Sequence, residues 1–574
     1  MAYDLVIRNG IIIDGSGSPR YHGDVGIVDG TIACIGRIGE RGRQEIDARG
    51  QVVSPGFVEV HSHMDAQIFW DHLGTSPVWH GVTTTIMGNC GFTLAPCREA
   101  EMDLCLRSLE RAEDMSRDAL LAGVKWGWET FAQYLDVVDA LPKGINYAGY
   151  IGHSALRTYV MGERAFERAA QHEDIEAMSR ELASALQAGA IGFSTSRSRH
   201  FTSEGKPVAS RLADWSEVRS LVGTMARLNA GLFEITPDNW GSPEERARGQ
   251  KALGDLAVES GRPVTFITIQ LPMQGDAWRE MMTLTEDTAR RGGRMFTQVL
   301  TRHFQSVVGF RTQLPFDGLP TWREVRSRPI EAQRTALLDP AMRQRLVHEA
   351  MNGPYATEFT GPSAQPPDWD RLMVLDAPTG PYRTVGEIAR ERQTTPANAL
   401  IDIALETDFD RFFVQPIGNY DLRDVLTLMQ HPHSIVGGSD SGAQVSQVLD
   451  SSIPTFLLAY WVREQKAFTL EQAVRKLTFD PAMAWGLSRR GLLAPGMVAD
   501  LIVFDPERVG PGMPVADNDL PAGALRLKQK ATGMAATVVG GQIVMRNSEP
   551  TGALPGRLLR GPLAQSAHNG GPSR

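Results

Sequence analysis

Short apolar runs rich in β-branched residues alternate with amphipathic helical patterns through the centre of this 574-residue chain. One such pattern, EDIEAMSRELASALQAG, ends at a glycine, where a helix C-cap is expected. Alternating strand and helix signals predict a parallel sheet with helices outside it. Eight runs qualify as strands, namely GFVEVHSH, GVTTTIMGNCG, INYAGYIGH, GAIGFSTS, GLFEITPD, RPVTFITIQ, RMFTQVLTRH and HSIVGGSDSG. Eight parallel strands indicate an α/β chain with a (β/α)8 TIM-type barrel.

The two chain ends have a different residue pattern from the centre. Residues 1–55 alternate short strand-like runs with turn signals such as NG, DG and GSG, and residues 490–550 repeat this pattern. We expect both ends to build one small β-sandwich beside a barrel at 56–489. The stretch from about 305 to 430 is too long for one connection, which predicts a helical insertion after the seventh strand. Residues 551–574 are predicted to be disordered.

Composition and charge exclude several classes of protein. A hydrophobic content of 42% and a charged content of 22% are typical of an ordinary soluble protein with a large core. The net charge of -9 provides no basic face for nucleic acids or anionic membranes. Neither a signal peptide nor a membrane span is evident, and four cysteines are too few for a disulfide framework. We therefore expect a cytoplasmic protein with a small-molecule substrate, whose oligomeric state, a homo-oligomer included, is open.

The ends of the predicted strands carry residues that bind metals in other proteins. Side chains alternate between the two faces of a strand, so His61 and His63 in PGFVEVHSHMD share one face. Asp440 follows the eighth strand, and Cys90 follows the second. The carboxyl ends of the strands form the active face of such a barrel, and imidazole, thiolate and carboxylate suit zinc or a similar ion. The pattern favours a metal site with one side open.

Each candidate also has a purely structural interpretation. A buried cysteine such as Cys90 commonly packs as a small hydrophobe, and Asp440 in GGSDSG could cap a helix. His153, after the third strand, and His303, after the seventh, are the kind of histidine that often forms hydrogen bonds at a barrel mouth. We keep His153 as a candidate acid–base residue and His303 as a candidate substrate-binding residue.

Three segments together resemble the amidohydrolase superfamily over nearly the whole chain: PGFVEVHSHMD, GGSD and LAPGMVADLIVFD. Within it, DAQIFWDHLGTSPVWHGVTTTIMGNCGFTLAPC, GAIGFSTS and GALPGRLLRG resemble the D-aminoacylase, or N-acyl-D-amino-acid deacylase, branch. The resemblance implies that His61 and His63 bind one metal, that Cys90 is a ligand or bridge, and that Asp440 is a ligand and the proton shuttle. It implies hydrolysis of an amide bond in a small N-acyl compound.

The sequence departs from that branch at two metal-ligand positions and in the substrate site. The branch supplies a histidine from strand five and another from strand six, whereas this chain has Thr236 at the first position and Thr268 or Ile269 at the second. The segment that holds the substrate carboxylate in the branch is replaced by SDSGAQVSQVLDSS. The remaining donors suffice for one ion, zinc or another divalent metal.

Other polar residues could serve a site that lacks those histidines. Glu234 lies two residues before Thr236 and therefore on the same inward face, where a carboxylate needs a cation or a donor. It is a candidate catalytic residue. Arg197 and Arg199, just after the fourth strand, could hold an anionic group of the substrate.

Two other functions remain open from the sequence. The same barrel could perform a different hydrolysis, or cleave a carbon–carbon or carbon–nitrogen bond, with a mononuclear or metal-free site. It could also be a non-catalytic relative that binds a ligand. One barrel fold hosts many reactions, so the fold alone does not choose among these functions.

Overall fold

The computed structural model of the protein describes residues 3–238, 241–355 and 366–564. In chain order its strands are β1 (Tyr3–Ile12), β2 (Tyr21–Val28), β3 (Thr31–Gly36), β4 (Gly42–Asp47), β5 (Val52–Pro55), β6 (Phe57–Ser62), β7 (Val82–Met87), β8 (Asn146–Gly152), β9 (Gly192–Ser196), β10 (Leu232–Thr236), β11 (Val264–Ile267), β12 (Met295–Val299), β13 (Phe304–Val308), β14 (Met373–Val374), β15 (Phe413–Gly418), β16 (Ser434–Val436), β17 (Leu501–Phe504), β18 (Gly510–Asp517), β19 (Arg526–Thr532), β20 (Met534–Val539), β21 (Gln542–Arg546) and β22 (Glu549–Pro550).

The helices lie mainly between the strands of the chain's centre. They are α1 (Met102–Ala112), α2 (Arg117–Gly123), α3 (Phe131–Ala140), α4 (His153–Met161), α5 (His172–Ala188), α6 (Trp215–Leu228), α7 (Pro243–Ser260), α8 (Ala277–Arg290), α9 (Pro320–Arg326), α10 (Ile330–Leu338), α11 (Pro340–Asn352), α12 (Val385–Glu391), α13 (Pro396–Glu406), α14 (Leu422–Gln430), α15 (Ile453–Phe456), α16 (Leu470–Leu477) and α17 (Phe479–Ala484). Within the described residues, none of these helices combines the length and apolar composition that crossing a bilayer requires.

Eight parallel strands form the central sheet, in the order β6-β7-β8-β9-β10-β11-β12-β16. These are the eight strands that the sequence predicts, and the prediction of a TIM-type barrel is confirmed. Every residue of β6 and of β7 is buried, as expected for strands covered on both faces. The sheet curls until its first and last strands meet: Ser62 bridges Ser441, and the His63 N–H donates to the Ser441 carbonyl oxygen at 2.8 Å.

A buried carboxylate joins the first and last strands of the barrel. Oε1 of Glu59, on β6, accepts the backbone N–H groups of His61 at 2.9 Å, Gly438 at 3.1 Å and Ser439 at 3.4 Å. Burial raises the pKa of Glu59, and these three donors oppose the rise. The Glu59 side chain therefore supplies the acceptor that three buried N–H groups need where the sheet closes.

The two chain ends interleave in one nine-stranded sheet. In its centre β5 pairs in parallel with β1 and antiparallel with β17, so segments about 450 residues apart in sequence become neighbours. Apolar side chains of both ends share one core, including Leu5, Ile27, Val503 and Val538. The strands β18 and β19 form a separate hairpin. The chain ends therefore build one β unit, as the sequence predicts.

The insertion after the seventh strand contains more than helices. Its helices α9 to α13 pack around a core of their own, and β13, β15 and β14 form a three-stranded antiparallel sheet. The next helix, α14, packs against β12 and β16 and belongs to the barrel. The helical prediction for about 305–430 thus omitted this small sheet, because its strands pair across about 100 residues of sequence.

The prediction of disorder for 551–574 is wrong for residues 551–564. Here the Tyr147 N–H donates to the Arg557 carbonyl oxygen at 3.0 Å, and the Leu559 N–H donates to the Tyr147 carbonyl oxygen at 2.7 Å. Arg560 pairs with Asp136 at 2.7 Å. The segment is held by backbone partners on β8, which its own composition does not reveal. Residues 565–574 lie outside the described residues.

Substitution of Glu59 tests its role at the barrel seam. Glu59→Ala leaves three buried N–H groups without an acceptor, and each such group costs about 1–3 kcal/mol. We expect the free energy of unfolding to fall by at least about 3 kcal/mol. Glu59→Gln keeps an amide oxygen and should lose less. Thermal unfolding measures both variants, with Glu549→Ala on the exposed strand β22 as control. Equal midpoints for the alanine and glutamine variants would contradict this assignment.

Candidate metal centre

Three donor side chains of different chemistry converge at the carboxyl ends of the barrel strands. Nitrogen atoms of His61 and His63 and the sulfur of Cys90 all lie within 4.8 Å of one another, and all three residues are buried. His61 and His63 come from the end of β6, whereas Cys90 lies in a 3-10 turn after β7. Gly88, at φ +81, permits that turn, because a Cβ atom there would lie 2.7 Å from the Tyr150 carbonyl oxygen.

Asp440 lies between the two imidazoles. Its Oδ1 is 3.2 Å from Nε2 of His61 and 3.5 Å from Nε2 of His63. Burial acts to raise the pKa of Asp440, but the two histidines outweigh it and hold that pKa well below its usual range. Asp440 lies in a loop with φ +49, and no described helix begins there, so it does not cap a helix. The structure therefore brings Asp440 beside His61 and His63, with its carboxylate ionised.

Gln298 orients the ring of His61, and sequence analysis missed it. Its Oε1 lies 2.7 Å from Nδ1 of His61, and its Nε2 donates to Oγ1 of Thr265 at 3.3 Å. An amide oxygen only accepts, so Nδ1 of His61 carries a hydrogen, and the ring is held with Nε2 facing Cys90 and Asp440. The available signal was a glutamine within the apolar seventh strand, comparable to the glutamate within the fifth.

Cys90 has polar neighbours on two sides. Its Sγ lies 3.3 Å from Nε2 of His61, and Oγ1 of Thr236 donates to it at 3.2 Å. Burial raises the pKa of the Cys90 thiol to about 12, with His61 acting in the opposite direction. A thiolate at this position therefore needs a cation beside it.

Thr236 and Thr268, the latter one of the two residues (Thr268 or Ile269) at the strand-six position, have different surroundings. Thr236 lies against Cys90, at the cluster itself. Thr268 is buried at the end of the sixth strand, where its Oγ1 lies 2.5 Å from Oγ1 of Thr297 on the neighbouring strand. Both hydroxyl groups thus form hydrogen bonds with neighbouring side chains, Thr236 with Cys90 and Thr268 with Thr297.

Glu234 lies fully buried behind Cys90. Its Oε2 accepts the Cys90 N–H at 2.8 Å, and its Oε1 has no hydrogen-bond partner among the described residues. Burial raises the pKa of Glu234 to about 7, while His61 and the Cys90 N–H oppose the rise. The sequence prediction that this side chain points inward thus matches its position, next to the turn that carries Cys90.

Glu113 is the acidic neighbour that sequence analysis did not find. It follows α1 and is 3% exposed, and its Oε2 lies 3.5 Å from Nε2 of His63. It does not lie at the end of a barrel strand, and no spacing in the sequence links it to His63. Only the packing of α1 over the barrel mouth brings the two side chains together.

His153 belongs to a separate buried network. Its Nδ1 lies 2.8 Å from Oγ1 of Thr195, and its Nε2 lies 2.8 Å from Oε1 of Glu217, which also pairs with Arg157. Burial lowers the pKa of His153, although Glu217 opposes this effect. Both ring nitrogens are engaged, so the structure does not bring His153 into the cluster.

The three predicted substrate-binding residues also lie outside the cluster. The Arg197 guanidinium donates to the Ala213 carbonyl oxygen, and Arg199 lies exposed on the same loop. Nδ1 of His303 lies 2.7 Å from the Asn419 carbonyl oxygen, at the start of the insertion. These residues are placed on the loops around the barrel mouth.

Known proteins resemble this chain along most of its length. A family model described as the amidohydrolase family matches residues 44–545. The D-aminoacylase of Alcaligenes xylosoxydans xylosoxydans is 28% identical over 581 residues, covering 97% of each chain. The N-acyl-D-glutamate deacylase of the same organism is 27% identical over 565 residues, covering 97% of this chain and 96% of its own.

The solved structure of the N-acyl-D-glutamate deacylase from Bordetella bronchiseptica, complexed with zinc and a phosphonate inhibitor, has the same fold. It aligns with a TM-score of 0.65 and 24% identity, covering 98% of this chain and all of its own.

Removing the acceptor that holds His61 should weaken zinc binding. Gln298→Leu frees Nδ1 of His61, and loss of such an orienting partner typically costs 10–100-fold in metal affinity. Gln298→Glu keeps an acceptor and should bind zinc more tightly than the leucine variant. Competition with a chromophoric chelator measures both dissociation constants. Wild-type affinity in Gln298→Leu would show that Gln298 does not orient a ligand.

Proposed function

Because this chain belongs to the amidohydrolase family and is a hydrolase of C–N bonds other than peptide bonds, we propose that it cleaves the amide bond of a small N-acyl compound with the help of one divalent ion. The observation that carries the proposal is the convergence of His61, His63 and Cys90 with Asp440 at the mouth of the barrel. Zinc suits this mixture of nitrogen, sulfur and oxygen donors.

The donors themselves fit a cation. Cys90 requires one to become a thiolate, and Asp440 is a half-buried carboxylate beside two imidazoles. Gln298 leaves Nε2 of His61 free to bind an ion. Such an ion would polarise the amide carbonyl and make water more acidic. We assign His61, His63, Cys90 and Asp440 as its ligands.

Asp440 is the residue we assign to proton transfer. Its Oδ1 lies beside Nε2 of both His61 and His63, at the positions assigned to the ion, so it is placed to accept a proton from the attacking water. A carboxylic acid of low pKa then releases that proton readily to the leaving nitrogen. Asp440 also lines a cavity with Gln67, Ser441 and Gln529. Glu234 holds the Cys90 backbone, and we assign it a positioning role.

The names of the relatives suggest the substrate class. They are a D-aminoacylase and deacylases of N-acyl-D-glutamate and N-acyl-D-aspartate, at 27% to 28% identity. We therefore propose an N-acyl-D-amino acid as the substrate. Arg197, Arg199 and His303, on loops around the mouth, are the residues we propose for contacts with it.

A panel of N-acyl-D-amino acids, N-acyl-L-amino acids and simple aryl amides tests this proposal. We expect amine release from at least one N-acyl-D-amino acid, and a decrease in activity when the metal is removed by a chelator. Asp440→Asn should lower kcat/KM at least about 100-fold, because general acid–base catalysis typically contributes 10²–10⁴-fold. Asp376→Asn, at an exposed position in the insertion, is the matched control.

Three outcomes would contradict the proposal. No release from any member of the panel, with zinc bound to the protein, would exclude an amide substrate of this class. Full activity in Asp440→Asn would move proton transfer to another residue, and full activity after metal removal would exclude metal-dependent chemistry.

A further inference from the structure

We propose that Glu113 is an additional ligand of the ion, supplied from outside the barrel strands. This inference rests on the proposed function, because it concerns the ion assigned to that site. Oε2 of Glu113 and Oδ1 of Asp440 each lie 3.5 Å from Nε2 of His63. Two carboxylates therefore converge on a single imidazole nitrogen.

These distances fit coordination better than hydrogen bonding. Strong N–H···O hydrogen bonds span about 2.7–3.2 Å, so 3.5 Å is long for either carboxylate. Nitrogen and oxygen ligands lie about 2.0–2.2 Å from zinc, so two such atoms 3.5 Å apart are within reach of one ion. Nε2 of His63 carries either one hydrogen or one lone pair, so it cannot satisfy both carboxylates by itself. An ion between the three atoms can.

The surroundings of Glu113 also call for a cation. The residue is 3% exposed, and among the described residues its carboxylate has one polar partner, the imidazole of His63. A buried carboxylate beside a second one is costly unless a cation balances the charge.

The fold holds Glu113 in a fixed place relative to Asp440. The Glu113 carbonyl oxygen accepts the Gln444 N–H at 2.6 Å. The next residue, Asp114, accepts the side-chain N–H of Gln447 at 2.6 Å. These bonds fasten the end of α1 to the loop that carries Asp440.

This arrangement explains how the chain keeps an ion without the two branch histidines. Thr236 and Thr268 bring hydroxyl groups to the ends of strands five and six. Glu113 adds a carboxylate donor whose Oε2 lies 3.5 Å from Nε2 of His63. The lost imidazoles are neutral ligands, so the substitution also raises the negative charge of the site.

Zinc affinity of Glu113→Gln tests the inference without any substrate. The variant is nearly isosteric, and we expect its zinc dissociation constant to rise at least 10-fold. Glu110→Gln, on the same helix but paired with Arg117, is the matched control and should stay within about 2-fold of wild type. Glu113→Asp keeps the charge but withdraws the carboxylate, so it should also weaken binding. The visible absorption of bound Co²⁺ should change in both Glu113 variants and not in the control.

Three results would overturn the inference. Wild-type zinc affinity and an unchanged Co²⁺ spectrum in Glu113→Gln would make Glu113 a buried partner of His63 only. Full zinc affinity in Glu113→Asp would reduce its role to electrostatics. No zinc binding by the wild type would remove the ligand assignment. If the wild type hydrolyses none of the amides but the Glu113 variants still bind zinc more weakly, the proposed substrate is wrong and the role of Glu113 as a ligand is supported.

Discussion

The carboxylate of Glu59 holds together the first and last strands of the barrel, and the rest of the site depends on that closure. One oxygen accepts the N–H groups of His61, Gly438 and Ser439. His61 is itself a proposed ligand, and Ser439 directly precedes Asp440. The backbone positions of the donors on the first and last strands are therefore set by the same buried hydrogen bonds that close the sheet. The hydrogen bonds that close the barrel therefore also fix where His61 and Asp440 lie relative to each other.

The barrel mouth gathers more negative charge than its side chains can balance. Asp440 is ionised, Glu113 and Glu234 are buried carboxyl groups, and Cys90 adds a thiol that a cation would deprotonate. The imidazoles of His61 and His63 lie among these groups, and Gln298 accepts from Nδ1 of His61. Carboxyl, thiol and imidazole groups are the donors that bind divalent ions. An apolar ligand would leave these buried polar groups without partners, so the cluster is poorly suited to one.

The site shows how a common barrel can change its ligands and keep its architecture. The relatives and this chain share the fold over nearly their whole lengths. Yet Thr236 stands beside Cys90 where the sequence resemblance implies a histidine, and Glu113 approaches from a helix after the second strand. Strand ends and loops can vary without disturbing the barrel core, and the proposed ligands lie at or just beyond the ends of their elements.

The sequence by itself determined the eight barrel strands, the shared β unit of the chain ends and the inward face of His61, His63 and Glu234. Those features follow from the periodicity of apolar residues and from turn residues, both of which depend only on residues close together in the sequence. The tertiary structure alone decided that Gln298 contacts His61, that Glu113 contacts His63, and that residues 551–564 bind β8. It also decided that His153 pairs with Glu217 outside the cluster. These contacts join segments from about 50 to more than 400 positions apart, and no local pattern encodes a partner at that distance.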